Sequence, residues 1–187
     1  MPINYKNVLK GNIVSTTLKT LLENSGYTVI PFGIESVIRE ILNMGYSEYR
    51  GITEFNDNLR HMPDFFVIDH ELQKGWLVEV KYRSKLDEIC RMDLASGVSN
   101  YGKWLPIYMI LVVKDNCDEP TWQGGDNTEI KNIRVFKIES SEVSANFFVY
   151  QSCASRIQDI FPKLKDGFPE KTIKSAQDAI LGFASSL

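Results

Sequence analysis

The sequence predicts an α/β or α+β protein, one sheet with helical covers. Three observations carry that expectation. Helical spacing of apolar residues recurs early and late in the chain. Between those stretches lie short β-runs, DFFVID, WLVEVKY, IYMILVV and IRVFKI. The two kinds of segment alternate along the chain, and neither fills it alone.

The elements follow in order. Asn12 to Asn24 reads as a helix, because Ile13, Leu18, Leu21 and Leu22 can share one face. Ser25-Gly26 ends it, with Gly26 as the residue beyond the C-cap. Tyr27 to Phe32 is a β-run that Pro31 marks as an edge or a strand end. Ile34 to Met44 returns to helical spacing and stops at Gly45. Tyr46 to Met62 is polar and turn-rich, an irregular stretch of a length often used for function. A hairpin follows: a strand over Asp64 to Asp69, a connection over His70 to Gly75, and a return strand over Trp76 to Tyr82. Leu86 to Val98 looks helical, broken by Gly97. Ile107 to Val113 is a buried strand of the parallel-sheet kind. Asp115 to Lys131, with Pro120, Gly124 and Gly125, is a loop. Ile133 to Ile138 and Phe147 to Tyr150 read as further strands. Ser155 to Leu164 and Thr172 to Phe183 read as C-terminal helices.

The 187 residues fit one domain, a core over about residues 10–115 with residues 116–187 as an extension. A net charge of −3 argues against a strongly basic, non-specific nucleic-acid binder. It does not conflict with a metal site, where bound cations offset local acids. Cys90, Cys117 and Cys153 are odd in number and lack zinc spacing, so free thiols in a reducing compartment are expected. Met1 to Lys10 has no apolar signal core, and the run from Leu105 to Val113 is too short to span a bilayer. A cytoplasmic protein without membrane contact is the expectation. No Gly-rich phosphate loop follows a strand, and no HExxH or GxSxG motif occurs.

The chemistry concentrates in the hairpin. Side chains alternate along a strand, so Leu77, Glu79 and Lys81 face one way and Val78, Val80 and Tyr82 the other. If Asp69 opposes Trp76, Asp64 lies across from Lys81 with Glu79 as its diagonal neighbour on the same face. A slip of one residue would move the acid to the wrong face. Two converging carboxylates suit a hard divalent cation, with the Val80 carbonyl as an added ligand. Such a cation polarises a phosphorus centre and acidifies a bound water. Lys81 would hold the attacking water and offset charge on the phosphate. The set suits phosphodiester hydrolysis.

Pro63-Asp64 followed by Glu79-Val80-Lys81, with a helix–strand unit before and a helix–strand unit after, resembles the PD-(D/E)xK nuclease superfamily. LKGN…LLENSGYTVIPFG and WLVEVKYRSK look like its Holliday-junction-resolvase and restriction-enzyme branch. The resemblance implies a restriction-endonuclease-like core, a central mixed sheet flanked by helices. It implies an Mg²⁺- or Mn²⁺-dependent endonuclease acting on DNA, with RNA as the second substrate. It makes Asp64, Glu79 and Val80 metal ligands, and Asp64, Glu79 and Lys81 the catalytic set.

One departure stands out. Many members carry a glutamate in the opening helix, where this chain has Val14-Ser15-Thr16-Thr17. Glu23 lies too near the helix end for a direct match; Glu35, after the first strand, is the candidate substitute and Glu40 another, and without either the resemblance implies a site with one metal rather than two, or without activity. Arg60, His61, Arg83 and Lys85 flank the motif and are candidates for a rim that contacts the nucleic-acid backbone. Tyr101 and Lys103 lie where some branches add a side chain, but the match is too loose to assign a role. The apolar stripe Ile173, Ala176, Ile180 and Phe183 suits core packing or a homodimer face. Two other readings remain open. One is a nuclease-fold relative without activity that binds nucleic acid or a protein. The other is a solvated hairpin with Glu79 and Lys81 on an exposed face and Asp64 capping a turn.

Overall fold

The computed structural model of the protein describes residues 5–33, 61–113, 133–148 and 153–164. The expected helices at 34–44 and 172–183, the stretch 46–60 and the loop at 115–131 lie outside the described residues.

Helix α1 spans Tyr5–Asn24, beginning seven residues earlier than its apolar spacing indicates. Val14, Leu18, Leu21 and Leu22 form its buried stripe. Its C-terminus closes as Gly26 predicts. Gly26 takes φ 87° and donates its N–H to Glu23 O at 3.0 Å, and the Tyr27 N–H reaches Leu22 O at 3.2 Å. These two bonds satisfy carbonyls that the helix end leaves open.

Strand β1 is Thr28–Pro31, β2 is Phe65–Asp69, and β3 is Lys74–Arg83. After helix α2, Glu88–Val98, and a 3-10 turn at Ser99–Tyr101, the chain returns as β4, Ile107–Val113. β5 is Ile133–Ile138 and β6 the two-residue Ala154–Ser155, followed by α3, Ile157–Ile160. The six strands lie side by side in the order of the sequence. All pairs are antiparallel except β3–β4, which is parallel and spanned by α2. This is an α/β fold on a mixed sheet with helices on both faces.

The alternation of the strands sorts the core into two clusters. Phe65, Val67, Trp76, Val78, Val80, Ile110 and Val112 face α1 and the segment 157–164. Leu77, Met109, Leu111, Phe136 and Ile138 face α2 and the turn around Phe148. Tyr27, Trp76 and Phe161 meet edge-to-face, with centroids 5.4 to 6.1 Å apart, and tie the C-terminal segment to the first face. Asp87 caps α2, accepting the Cys90 N–H at 2.9 Å.

Three expectations need correction. Asp69 opposes Lys74, not Trp76, so the hairpin connection is four residues and the register differs by two. The cause lies in the turn. Asp69 Oδ1 accepts the N–H groups of Glu71 at 2.9 Å and Leu72 at 3.1 Å, and Gln73 takes the left-handed φ of 49°. Phe147 is not in a strand: Ala145–Phe148 is a 3-10 turn whose two phenylalanines pack on Phe136. The helix expected from Ser155 is shorter, because Ala154 and Ser155 pair with β5 and Pro162 follows the end of α3.

Candidate active site

The two-residue register difference keeps every side chain on the face that alternation assigns. The last β2–β3 pair is Phe65↔Val78, and one step beyond it Asp64 comes level with Glu79. The acids are therefore direct neighbours across the hairpin, with Lys81 on the diagonal, where the sequence had suggested the reverse. Phe65 and Val67 point into the α1 cluster. Asp64 starts the opposite row, on the α2 side with Leu77 and Glu79.

Asp64 is fixed from two directions. Its carbonyl accepts the Phe32 N–H at 2.8 Å and the Gly33 N–H at 3.3 Å, which joins it to the end of β1. Its Oδ2 accepts the Val80 N–H at 2.7 Å, which joins it to β3. A strand residue's N–H and C=O leave the same edge. The Val80 carbonyl therefore also points to the edge where Asp64 sits.

Glu79 is 5% exposed, which excludes the reading of a solvated hairpin face. Its Oε1 accepts from two donors: the Lys81 ammonium, in a short ion pair, and the Tyr101 hydroxyl at 2.7 Å. Its Oε2 accepts no hydrogen bond from any described residue. The Lys81 ammonium also lies 6.0 Å from the Tyr101 ring centroid. Burial, and then the charge of Glu79, push the Tyr101 hydroxyl far above its ordinary range, so it stays a donor.

The flanking residues separate. His61 packs edge-on to Tyr101, with centroids 6.3 Å apart, and so borders the acids. Arg83 follows Lys81 on the same face and pairs with Asp93 of α2 at 2.9 Å. Lys85 is well exposed and pairs with Asp87. Glu23 pairs with Lys19 at 2.9 Å on the surface of α1. Val14 is packed in the cluster on the opposite face from Glu79, so that part of α1 brings no acid to the site. Glu35, Glu40 and Arg60 lie outside the described residues.

Tyr101 is the site residue that sequence reasoning left without a role. The available signal was a tyrosine at the end of an amphipathic helix that covers the acid-bearing face. When buried, its hydroxyl needs a partner.

Among the described residues, no three His, Cys, Asp or Glu side chains form a metal-ligating group. Two carboxylates and a main-chain carbonyl are nevertheless a suitable set of oxygen donors for Mg²⁺, which keeps several waters. The Oε2 of Glu79, which has no donor among the described residues, fits that use. No family model, curated protein or solved structure matches this chain.

Proposed function

We propose that this chain is a metal-dependent nuclease that hydrolyses phosphodiester bonds in DNA, on a PD-(D/E)xK-like core. The observation that carries the reading is the Asp64–Val80 hydrogen bond of 2.7 Å. It sets two carboxylates side by side on one sheet face, next to a lysine. The order α1–β1–β2–β3–α2–β4 supports the reading. It accords with the expected helix–strand unit, acid-bearing hairpin and second helix–strand unit.

Asp64, Glu79 and the Val80 carbonyl would hold Mg²⁺ or Mn²⁺. When bound, the cation supplies charge to the phosphoryl oxygens and lowers the pKa of a water. Lys81, tethered through Glu79, offsets the charge that builds on the phosphate and orients the attacking water. Asp64 keeps its position because its main chain and its side chain are both held. His61 and Arg83 border the acids, where a nucleic-acid backbone would pass, and Lys85 extends that rim.

A nuclease-fold protein that binds without cleaving is favoured by one observation, the acid-free Val14-Ser15-Thr16-Thr17 stretch of α1. Cleavage of plasmid, linear, branched and single-stranded DNA, and of RNA, distinguishes the two readings. Wild type is compared with Asp64→Ala and Lys81→Ala, in Mg²⁺, Mn²⁺ or EDTA. Metal-dependent cleavage lost in both variants is the expected result. No cleavage of any substrate, with no Mn²⁺ bound, would transfer the chain to the non-catalytic reading.

A further inference from the structure

We infer that Tyr101 is the positioning residue that presents Glu79 to the divalent cation. The inference rests on the metal-dependent reading above.

Glu79 Oε1 is taken by the Lys81 ammonium and by the Tyr101 hydroxyl at 2.7 Å. A cation near Oε1 would lie against the positive charge of Lys81, which leaves Oε2 as the oxygen that would ligate.

Tyr101 gives this arrangement its direction. The residue is 6% exposed, and it closes the 3-10 turn that extends α2, so its ring has a fixed place over the sheet. Its hydroxyl carries one proton, and that proton is spent on Oε1. Glu79 is thereby held through Oε1 by a donor on a rigid ring. Lys81 alone would not hold it so well, since a flexible ammonium can follow the carboxylate as it rotates.

The test is a Mn²⁺ titration of the full chain, followed calorimetrically and by the electron-spin signal of free Mn²⁺. Wild type should bind Mn²⁺. Tyr101→Phe keeps the ring and removes the hydroxyl. It should still bind Mn²⁺, about 10-fold more weakly, the low end of what orienting partners contribute at metal sites. Phe161→Leu, which loosens the opposite face, should lower the melting temperature and leave Mn²⁺ affinity unchanged. Equal affinity in wild type and Tyr101→Phe, with both folded by circular dichroism, would overturn the role of Tyr101. Binding of no Mn²⁺ by wild type would remove the metal-dependent reading itself, and this inference with it.

Discussion

Replacing Asp64 by Asn and by Ala separates its two tasks, holding β3 and binding a cation. Both variants remove the negative charge beside Glu79, so both relieve the same repulsion between adjacent strands. For the Val80 N–H that Asp64 accepts at 2.7 Å, Asn keeps a carbonyl oxygen and Ala does not. A neutral hydrogen bond contributes about 0.5–1.5 kcal/mol, and an N–H left without an acceptor adds to the loss, so the stability gap should be about 1–2 kcal/mol. In a protein of this size each kcal/mol moves the melting temperature by about 2–4 °C, which gives a gap of about 2–8 °C. Cleavage should fall in both variants by more than about 100-fold, beyond what is typical for residues that only orient ligands. Thermal unfolding followed by circular dichroism and a Mg²⁺-dependent cleavage assay read the two effects separately. Equal melting temperatures would refute the role given to the Val80 bond. An Asn variant that cleaves like wild type would refute Asp64 as a ligand.

Two further outcomes follow from the hairpin. Burial raises the pKa of Asp69, but the Leu72 N–H, the Lys163 ammonium and the Glu71 N–H outweigh it and hold the carboxyl below its ordinary value. A depressed folded pKa gives stability that is present above the unfolded pKa, about 3.9, and is lost as pH falls through the folded value. Urea midpoints measured from pH 7 down to 3 should therefore decline, and the decline should be shallower in Asp69→Asn; parallel curves would exclude Asp69 as a source. At Gly75 an added Cβ would lie 2.7 Å from Phe66 Cζ and 2.8 Å from Cε2. Gly75→Ala should cost up to about 1 kcal/mol by chemical denaturation, below the overpacking range of a tight core, because Gly75 is exposed and the end of the half-buried Phe66 ring can shift, and Phe66→Leu in the same chain should remove the cost.

The parts legible in the sequence are those set by local pattern. Ile107–Val113 is found with its observed ends because a continuous apolar run has no competing use in a sheet interior, and Ile133–Ile138 because Ile, Val and Phe recur in a short run that a turn-rich stretch precedes. The face shared by Glu79 and Lys81 follows from alternation alone. Register was not legible, since it depends on a side-chain-capped turn and on Gln73 at positive φ, which its residue type does not announce. Phe147 and Phe148 illustrate the opposite failure. Their β-propensity is real, but burial against Phe136 decides their conformation. Tyr101 was out of reach because its role is a contact across 22 residues, visible only once α2 is laid on the sheet.

Strand order that repeats sequence order bears on how the molecule assembles. Each strand docks beside the one before it in sequence, so the connections do not cross and the sheet can grow outward from the short β2–β3 hairpin. The pairing of β2 with β3 alone sets Asp64 level with Glu79. Tyr101 reaches Glu79 only once α2 is laid on the sheet. Burial of the tyrosine hydroxyl therefore reports the docking of α2, and a time-resolved fluorescence experiment can separate that event from formation of the hairpin.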